Sequence, residues 1–520
     1  MAEFEINDGV AIIPDGTTEI EYGAFYGSDV KSVIVPDSVK IIGEYAFDGC
    51  NQLQNVVLPN GLDIIPSGCF NCCESLQEIH IPDTVKIIEK NAFAHCTSLV
   101  KIVIPKSTTF VSYEAFVDCQ SLQSIEVEAG NVSYDSRGGC NAIIETASDS
   151  LIVGCSSTVI PDSVTEIYHR AFKGCSFQSI TIPASVKTIR IAAFQDCSSL
   201  KSVVIPDSVT CIMRDAFSGC TSLQSISLPS SLSTIDSCVF YNCTSLESLF
   251  IPAAVREIGY AAFSGCTSLQ SIAVAQDNPV YDSREGCNAI IQTRLNKLVL
   301  GCKSTTIPNS VTTIGEWSFK GVSIENITIP DSVTRIGDDA FSNCKSLTTI
   351  NIPDSVTDIG SAAFAWCVSL QNITLPSSLG MIRSAFLEKC TSLKSINLPD
   401  SATEIDSNAF RGCSSLQNIS LPESLKVIHG GAFAGCSALE EIVFPKSLQK
   451  IEEFSAFSDC PSLKTITFNG TVKIIGQSSF NGSANLQAIY VPSKKAETYK
   501  QRLPEKLHPL ITELTKSNKH

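Results

Sequence analysis

The sequence has no apolar run long enough to cross a bilayer and no excess of basic residues. Its apolar segments all fall short of the roughly 18 residues that a membrane-spanning helix needs. Lys and Arg number 37 against 53 Asp and Glu, which gives a formal net charge of −16 at pH 7. Nucleic-acid-binding proteins present a basic face, and anionic membrane surfaces attract basic segments. We therefore expect neither membrane insertion nor a nucleic-acid partner.

The sequence also lacks the motifs that mark common catalytic and metal sites. It contains no phosphate-binding G-x-x-x-x-G-K-[ST] loop, no H-E-x-x-H and no G-x-S-x-G. Its six histidines are scattered. Cys69, Cys72 and Cys73 form a close group, but without the second cysteine pair that a zinc site requires. These absences predict a protein without enzyme activity, metal or other cofactor.

A repeat of 23 residues fills most of the chain. Prolines recur at this spacing at Pro183, Pro206, Pro229 and Pro252, and again at Pro330, Pro353, Pro376, Pro399, Pro422 and Pro445. Residues 206–229 show the pattern Pro-x-x-V/L-x-x-I-x-x-x-A-F-x-x-C-x-x-L-x-x-I-x-I/L-Pro, and variants of it recur along the chain. A fixed period in this range indicates a solenoid, in which stacked turns share one continuous core. We therefore predict a β-rich solenoid of about twenty coils.

A longer period is superimposed on this repeat. Pro14, Pro161 and Pro308 are 147 residues apart, and in the first two blocks the fifth step between prolines is 56 residues instead of 23. The extra residues form two insertions, near 128–160 and 275–307, that share the motif Tyr-Asp-Ser-Arg-x-Gly-Cys-Asn-Ala-Ile-Ile. Tandem duplication of a five-turn block explains this match.

Each insertion has the sequence of a β-hairpin. In the second insertion, apolar-rich strands at 288–293 and 297–300 flank a short turn. Cys287 and Cys302 lie at equal distances from that turn, so they should face each other, and the same symmetry holds for Cys140 and Cys155. Whether these pairs form disulfides is left open. Two interpretations compete: the hairpin widens one turn and joins its sheet, or it protrudes as a binding element.

A single turn predicts one strand and two internal side-chain ladders. Residues 225–228 alternate polar and apolar, which predicts a short strand that pairs in parallel with the equivalent strands of neighbouring turns. Phe217 and Cys220 occupy positions that hold phenylalanine and cysteine in nearly every turn. At solenoid spacing we interpret the phenylalanines as a stacked internal spine. The cysteines are interpreted as buried free thiols that donate to backbone carbonyls.

Small uncharged polar residues occupy the outward positions of the predicted strands, two and four residues before each proline. Such a surface can hydrogen-bond an extended peptide or a glycan; the competing interpretation is that short polar residues simply suit a solvated sheet. The N-terminal turns differ, because Glu78, His80 and Lys101 occupy these rows. The residues that we predict to form a binding surface are Ser179, Ser202, Ser225, Ser227, Ser248, Phe250, Ser271, Asn326, Thr328, Thr349, Asn351, Asn372 and Thr374.

A solenoid needs capped ends, because its terminal turns would otherwise expose core residues and strand edges. Residues 1–13 are predicted to form the N-terminal cap, with a strand pair around Asp8-Gly9. The solenoid itself should then occupy residues 14–492.

Residues 493–520 are predicted to form a C-terminal cap. Ser493 should cap a short helix from Lys494 to Arg502, which Pro504 stops. The residues expected to cover the last turn are Leu507, Leu510, Ile511 and Leu514.

The repeat resembles the BspA-like class of leucine-rich repeats. Residues 352–376 read Ile-Pro-Asp-Ser-Val-Thr-Asp-Ile-Gly-Ser-Ala-Ala-Phe-Ala-Trp-Cys-Val-Ser-Leu-Gln-Asn-Ile-Thr-Leu-Pro and match that class along their full length. The resemblance covers residues 13–492, and the insertions are similar to those of Bacteroidetes members. It implies an arc-shaped leucine-rich-repeat solenoid with a parallel β-sheet on the concave face. It also implies a cell-surface or secreted adhesin that binds host matrix proteins or other cells, with no catalytic residue.

Two further functions compete with the adhesin. The first eight residues are acidic and lack the apolar stretch of a secretion signal, which favours an intracellular interaction scaffold in the cytoplasm. The hydroxyl and amide rows favour a glycan-binding surface. In each case we expect the partner to be a macromolecule, a protein or a glycan.

Overall fold

The repeats form a β-solenoid of about 22 turns with parallel strands, which confirms the predicted fold class. The structure is a computed structural model that describes residues 4–515. The chain divides into two compact units, residues 1–266 and residues 267–520. Within the described residues, no helix has both the length and the apolar character that crossing a membrane would take.

Most turns contribute a strand that ends within two residues of the next proline position, and we call these strands the face strands. Their flanking side chains point to solvent while the central apolar residue is buried or half-buried, as the alternation predicts. Ser179, Ser202 and Ser225 are in parallel register across three neighbouring strands. The face strands of residues 1–266 are Val10–Ile12, Ser32–Ile34, Asn55–Val57, Lys101–Ile104, Ser124–Val127, Ser179–Thr181, Ser202–Val204, Ser225–Ser227 and Ser248–Ile251. Those of residues 267–520 are Ser271–Val274, Thr349–Asn351, Asn372–Thr374, Ser395–Asn397, Asn418–Ser420, Glu441–Phe444, Thr465–Phe468 and Ala488–Val491.

A second strand, only two residues long, lies in the Val-x-x-Ile segment after most prolines, and we call these the side strands. The sequence did not predict them, because two residues cannot show an alternating pattern. Their final isoleucine or valine is buried, with Ile258 as a half-buried exception. The side strands of residues 1–266 are Glu19–Ile20, Ile41–Ile42, Ile64–Ile65, Ile87–Ile88, Phe110–Val111, Glu166–Ile167, Thr188–Ile189, Cys211–Ile212, Thr234–Ile235 and Glu257–Ile258. Those of residues 267–520 are Thr313–Ile314, Arg335–Ile336, Asp358–Ile359, Met381–Ile382, Glu404–Ile405, Val427–Ile428, Lys450–Ile451 and Ile474–Ile475.

Both insertions join the sheet of side strands, so the first of the two interpretations is confirmed. In the first insertion, Ala142–Glu145 and Ser150–Gly154 form an antiparallel hairpin, and the second of these strands pairs in parallel with Glu166–Ile167. The second insertion repeats this arrangement. The remaining elements of the first insertion are the strand Tyr134–Asp135 and the 3-10 helix Arg137–Gly139. Those of the second insertion are the strands Tyr281–Asp282, Ala289–Gln292 and Lys297–Gly301 and the 3-10 helices Arg284–Gly286 and Thr293–Leu295.

The shared motif of the insertions has a structural role. The Tyr134 hydroxyl accepts a hydrogen bond from the Val111 N–H at 3.1 Å, and the Ser136 hydroxyl accepts one from the Val127 N–H at 2.9 Å. Arg137 forms a fork on Asp135, with its Nε and Nη2 each 2.8 Å from a carboxylate oxygen. These bonds fasten the hairpin to the turn that it extends.

The core of both units is built from the two predicted ladders, which the structure confirms. Stacked phenylalanine rings lie 4.9–5.7 Å apart between centroids. The stack is interrupted where Leu387 replaces phenylalanine and Phe386 packs edge-on against Phe364. The stacked series run from Phe4 to Phe116, from Phe172 to Phe263, from Phe319 to Phe364 and from Phe410 to Phe480.

The ladder cysteines close each turn onto the one before it. With the exception of Cys175, their Sγ atoms donate to the carbonyl of the spine residue one turn earlier, over 3.0–3.3 Å. Each of the 23 cysteines is free, including the insertion pairs for which disulfides were left open. Burial raises the pKa of Cys266 and of Cys413 to about 12.

A strand pair forms the N-terminal end, and a buried tyrosine anchors the cap at the C-terminal end. Glu5–Asn7 pairs antiparallel with Val10–Ile12 around Asp8-Gly9, which confirms the predicted strand pair. At the other end the predicted helix from Lys494 to Arg502 is wrong in its bounds: the α-helix is Ala496–Lys500, followed by a 3-10 helix Glu505–Leu510 and a strand Ile511–Glu513.

Ser493 does not cap this helix, because the carboxylate of Glu513 takes that role and accepts a hydrogen bond from the Ala496 N–H at 3.1 Å. The fully buried Tyr499 anchors the cap, as its hydroxyl donates to the Gly470 carbonyl at 2.6 Å. Leu507 is buried, and Leu510 and Ile511 pack against the core as expected. Leu514 is half-buried, and its N–H donates to the Val491 carbonyl of the last face strand.

Candidate functional site: the strand face

The outward side chains of the face strands form a surface that we call the strand face. All of the site residues predicted from the sequence are exposed on it. The parallel register places residues of the same row in line from turn to turn, so that hydroxyl and amide groups recur at the spacing of the strands, about 4.8 Å. The predicted residues fall into two groups, one in each unit.

The group in residues 1–266 ends at Phe250, which lies on the last of its four face strands. This ring is 56% exposed, although Leu249 and Ile251 on either side of it are buried, because the strand alternates. Val204, in the same outward row, is 69% exposed. Serines supply the remaining predicted residues of this group, which are Ser179, Ser202, Ser225, Ser227 and Ser248. This part of the strand face therefore combines hydroxyl groups with one exposed aromatic ring.

The group in residues 267–520 surrounds a shallow cavity. Six of the predicted residues line a space of about 350 Å³. The Thr349 hydroxyl donates to the side-chain oxygen of Asn326 at 3.0 Å, which links two successive turns within the cavity. Asn326 and Thr328 lie outside any regular strand, and Ser271 is exposed on the first face strand of this unit. The six lining residues are Asn326, Thr328, Thr349, Asn351, Asn372 and Thr374.

The N-terminal part of the strand face differs in chemistry. A cavity of about 450 Å³ includes Glu78, His80 and Lys101, the charged residues that the sequence placed in these rows. Lys101 forms an ion pair with Glu126 at 3.6 Å. On the first three face strands, three aliphatic side chains in the row two positions before proline are 48–65% exposed, and the third of them also lines this cavity. This apolar stripe was not among the predicted site residues, although the residue types along the row indicate it: Ile12, Ile34 and Val57.

Acidic residues that follow the prolines stabilise the turns beside the strand face. The Asp207 carboxylate accepts hydrogen bonds from the N–H and hydroxyl of Ser230 at 2.7 and 2.9 Å, and Asp354 similarly accepts from the Ser377 N–H. The backbone hydrogen bond from the next turn lowers the pKa of each carboxyl. These groups therefore stay ionised in mild acid and give the edge of the strand face a negative charge.

The side chains of this surface are suited to hydrogen bonding. Serine, threonine and asparagine side chains both donate and accept hydrogen bonds, so they can bind peptide or sugar groups without a fixed polarity. Among residues 4–515, no three His, Cys, Asp or Glu side chains come together as metal ligands would.

The solenoid of short parallel strands and the exposed strand face define a leucine-rich-repeat protein, a class whose members are typically protein-interaction modules. The family model for the BspA type leucine rich repeat region matches residues 18–137, 153–283, 297–417 and 380–502. The chain belongs to this family.

Several solved structures are similar to the chain. A leucine-rich repeat protein from Eubacterium ventriosum is 23% identical over 59% of this chain and 83% of its own, with a TM-score of 0.48. A leucine rich cell surface protein from Faecalibacterium prausnitzii is 23% identical over 90% of this chain and 93% of its own, with a TM-score of 0.36. The pneumococcal vaccine antigen PcpA is 18% identical over 95% and 91%, with a TM-score of 0.38. A search of curated proteins finds no match.

Proposed function

We propose that this chain is a cell-surface or secreted adhesin that binds a protein of the host matrix or of another cell through its strand face. The observation that carries the proposal is the exposed series of hydroxyl and amide side chains on successive face strands. Membership of the BspA-type family supports a location at the cell surface. An intracellular scaffold would use the same surface, and the two differ in where the partner is found.

The physical character of the strand face favours a polypeptide partner. Its polar groups repeat at about the spacing of the strands, and Phe250 offers one large apolar contact on the last face strand of the group in residues 1–266. Aromatic side chains, phenylalanine among them, are enriched at protein interfaces, and surrounding polar residues contribute complementarity. The acidic chain, with its net charge of −16, would repel a polyanionic partner.

The test introduces arginine at the centre of the strand face. The triple variant Ser225→Arg, Ser248→Arg and Phe250→Arg removes the apolar contact and covers the hydroxyl groups with three long charged side chains. Binding to immobilised collagen and laminin is measured by biolayer interferometry with the full chain. For the matrix protein that binds the parent, we expect at least a tenfold loss of affinity, which corresponds to about 1.4 kcal/mol.

A matched triple variant controls for the added charge. Thr210→Arg, Ser233→Arg and Tyr260→Arg alter exposed residues of the same unit outside the face strands, and the first two lie in a row that already contains Arg256. This variant should bind like the parent. Equal binding by the parent and the strand-face variant would show that the strand face is not the binding site.

A further inference from the structure

A groove outside the strand face runs across four turns of residues 267–520. It has a volume of about 780 Å³. Glycines line part of its floor, and side chains of the preceding turn lie directly against two of them: a Cβ on Gly431 would collide with the side-chain oxygen of Asn408, and one on Gly412 would lie 2.7 Å from the Lys389 side chain. Its hydroxyl-bearing lining residues are Thr391, Ser407, Ser414, Ser455 and Ser458.

Phe454 forms a flat apolar wall of this groove. The turn that contains it has 24 residues between Pro445 and Asn469 instead of 23, and the ring is 79% exposed. A Cβ added to Gly430 would lie only 2.8 Å from the Phe454 Cβ, so the absence of a side chain at Gly430 leaves room for Phe454 over the groove. A ring so exposed contributes little to the core, which is already filled by Phe457 of the same turn.

A second exposed aromatic ring lies beyond the opposite end of the groove. Trp366 is 47% exposed and occupies the position two residues after the spine phenylalanine. Backbone hydrogen bonds connect this position from turn to turn, from the Trp366 N–H to Glu388 and from the Lys389 N–H to Arg411. Trp366 and Phe454 are four turns apart, which at about 4.8 Å per turn gives a separation of about 19 Å along the stack.

The charges that line the groove balance. Lys389 and Arg411 are offset by Glu452 and Asp459. The Glu452 carboxylate also binds Lys450 at 2.8 Å and His429 at 3.2 Å, so its charge is partly compensated within the protein. A strongly anionic ligand would gain nothing from such a lining, and the acidic chain as a whole would oppose it.

We propose that this groove binds a neutral oligosaccharide. Sugar rings present one face of C–H groups and an edge of hydroxyls, so they require a flat aromatic surface beside side chains that donate and accept hydrogen bonds. Phe454 and Trp366 supply the aromatic surfaces, and Asn408, Arg411 and the groove's hydroxyl groups bond the sugar hydroxyls. The offset of about 19 Å along the stack, to which the different positions of the two rings within their turns add, suits a linear chain of several sugars. The ligand class and the side of the solenoid are both different from those of the strand face.

The experiment uses the full chain and neutral hexasaccharides of defined type: chitohexaose, cellohexaose, mannohexaose and maltohexaose. The chain has two tryptophans, so Trp317→Phe leaves Trp366 as a single fluorescent reporter beside the groove. We expect at least one of these saccharides to shift the Trp366 emission and to release heat in calorimetry. Phe454→Ala should weaken that binding at least tenfold, whereas Phe454→Tyr, which keeps the ring, should retain it.

Two further variants separate loss of the site from loss of the fold. Trp366→Gly removes the second ring. Residue 366 has a backbone φ of 63°, a conformation that Gly412 and Gly435 adopt in the same row, so the variant should fold. Calorimetry should show that it still binds the saccharide, but weakly. Tyr26→Ala removes a ring that is 69% exposed in residues 1–266 and should leave saccharide binding unchanged.

The arginine triple variant of the strand face should also leave saccharide binding unchanged, which keeps the two proposals distinguishable. The proposal is overturned if none of the four hexasaccharides binds, if binding is unaffected by Phe454→Ala and Trp366→Gly, or if the groove instead binds a heparin oligosaccharide or a gelatin peptide in a Phe454-dependent way.

Discussion

At the scale of single residues, hydrogen bonds connect the ladder cysteines to the backbone carbonyls of the spine phenylalanines. The carbonyl of Phe194 accepts two hydrogen bonds, from the N–H of Cys197 at 3.3 Å and from the Sγ of Cys220 in the next turn at 3.1 Å. A carbonyl has two lone pairs, so both bonds can form at once. Cysteine fits this position because it is small, tolerates burial and still donates weakly. The sequence predicted both ladders, since each depends only on the repeated position of one residue type.

The spine predicts a large cost for removing one ring. Phe217 is fully buried and stacks between Phe194 and Phe240 at centroid distances of 5.0 and 5.7 Å. Phe217→Ala loses this burial and leaves a cavity, so we expect the free energy of unfolding to fall by about 3–5 kcal/mol in urea denaturation. Tyr241→Ala, in the next turn and 37% exposed, is the control and should cost much less. Equal losses in the two variants would argue against the spine as the main source of stability.

At the scale of elements, the sequence predicts what a local pattern encodes. The face strands follow from alternation over three or four residues, and the hairpins follow from two apolar strands around a turn. The cap helix was misplaced because its first N–H is bound by Glu513, which is distant in sequence. The glycine-floored groove was missed because it depends on which side chains neighbouring turns lack. The only sequence signal for the exposure of Phe454 is the single extra residue in its turn.

The Tyr134 hydroxyl should contribute to stability by fastening the first insertion hairpin to the neighbouring turn. Tyr134 is buried, and its oxygen is 3.1 Å from the backbone nitrogen of Val111. Tyr134→Phe leaves that buried N–H without its acceptor, which should cost about 1–3 kcal/mol and speed hydrogen exchange at Val111. Tyr26→Phe, with a side chain 69% exposed, should change neither quantity. Unchanged exchange at Val111 in the Tyr134 variant would show that the hydroxyl does not hold the hairpin in place.

At the scale of the whole molecule, the buried thiols couple stability to alkaline pH. Burial raises the pKa of Cys119, Cys266, Cys413 and Cys460 from an ordinary value of 9.0 to about 12, and the pKa of most other ladder cysteines is also raised for the same reason. A raised thiol pKa means that the folded chain holds its proton more tightly than the unfolded chain. At pH 8 and below the thiols are almost fully protonated in both states, so they contribute almost nothing to the pH dependence of stability.

Above pH 9 the unfolded chain releases thiol protons that the folded chain retains, so the free energy of unfolding must fall as pH rises. Each thiol whose pKa moves from 9.0 to about 12 contributes a slope of about 1.4 kcal/mol per pH unit within that interval. We expect the urea midpoint, measured under reducing conditions, to be constant from pH 7 to 8 and to drop steeply between pH 9 and 10. Replacing the half-buried Cys72, Cys211 and Cys238 with serine should leave this drop in place, because the fully buried ladder causes it. A midpoint that stays constant up to pH 10 would contradict a ladder of buried, neutral thiols.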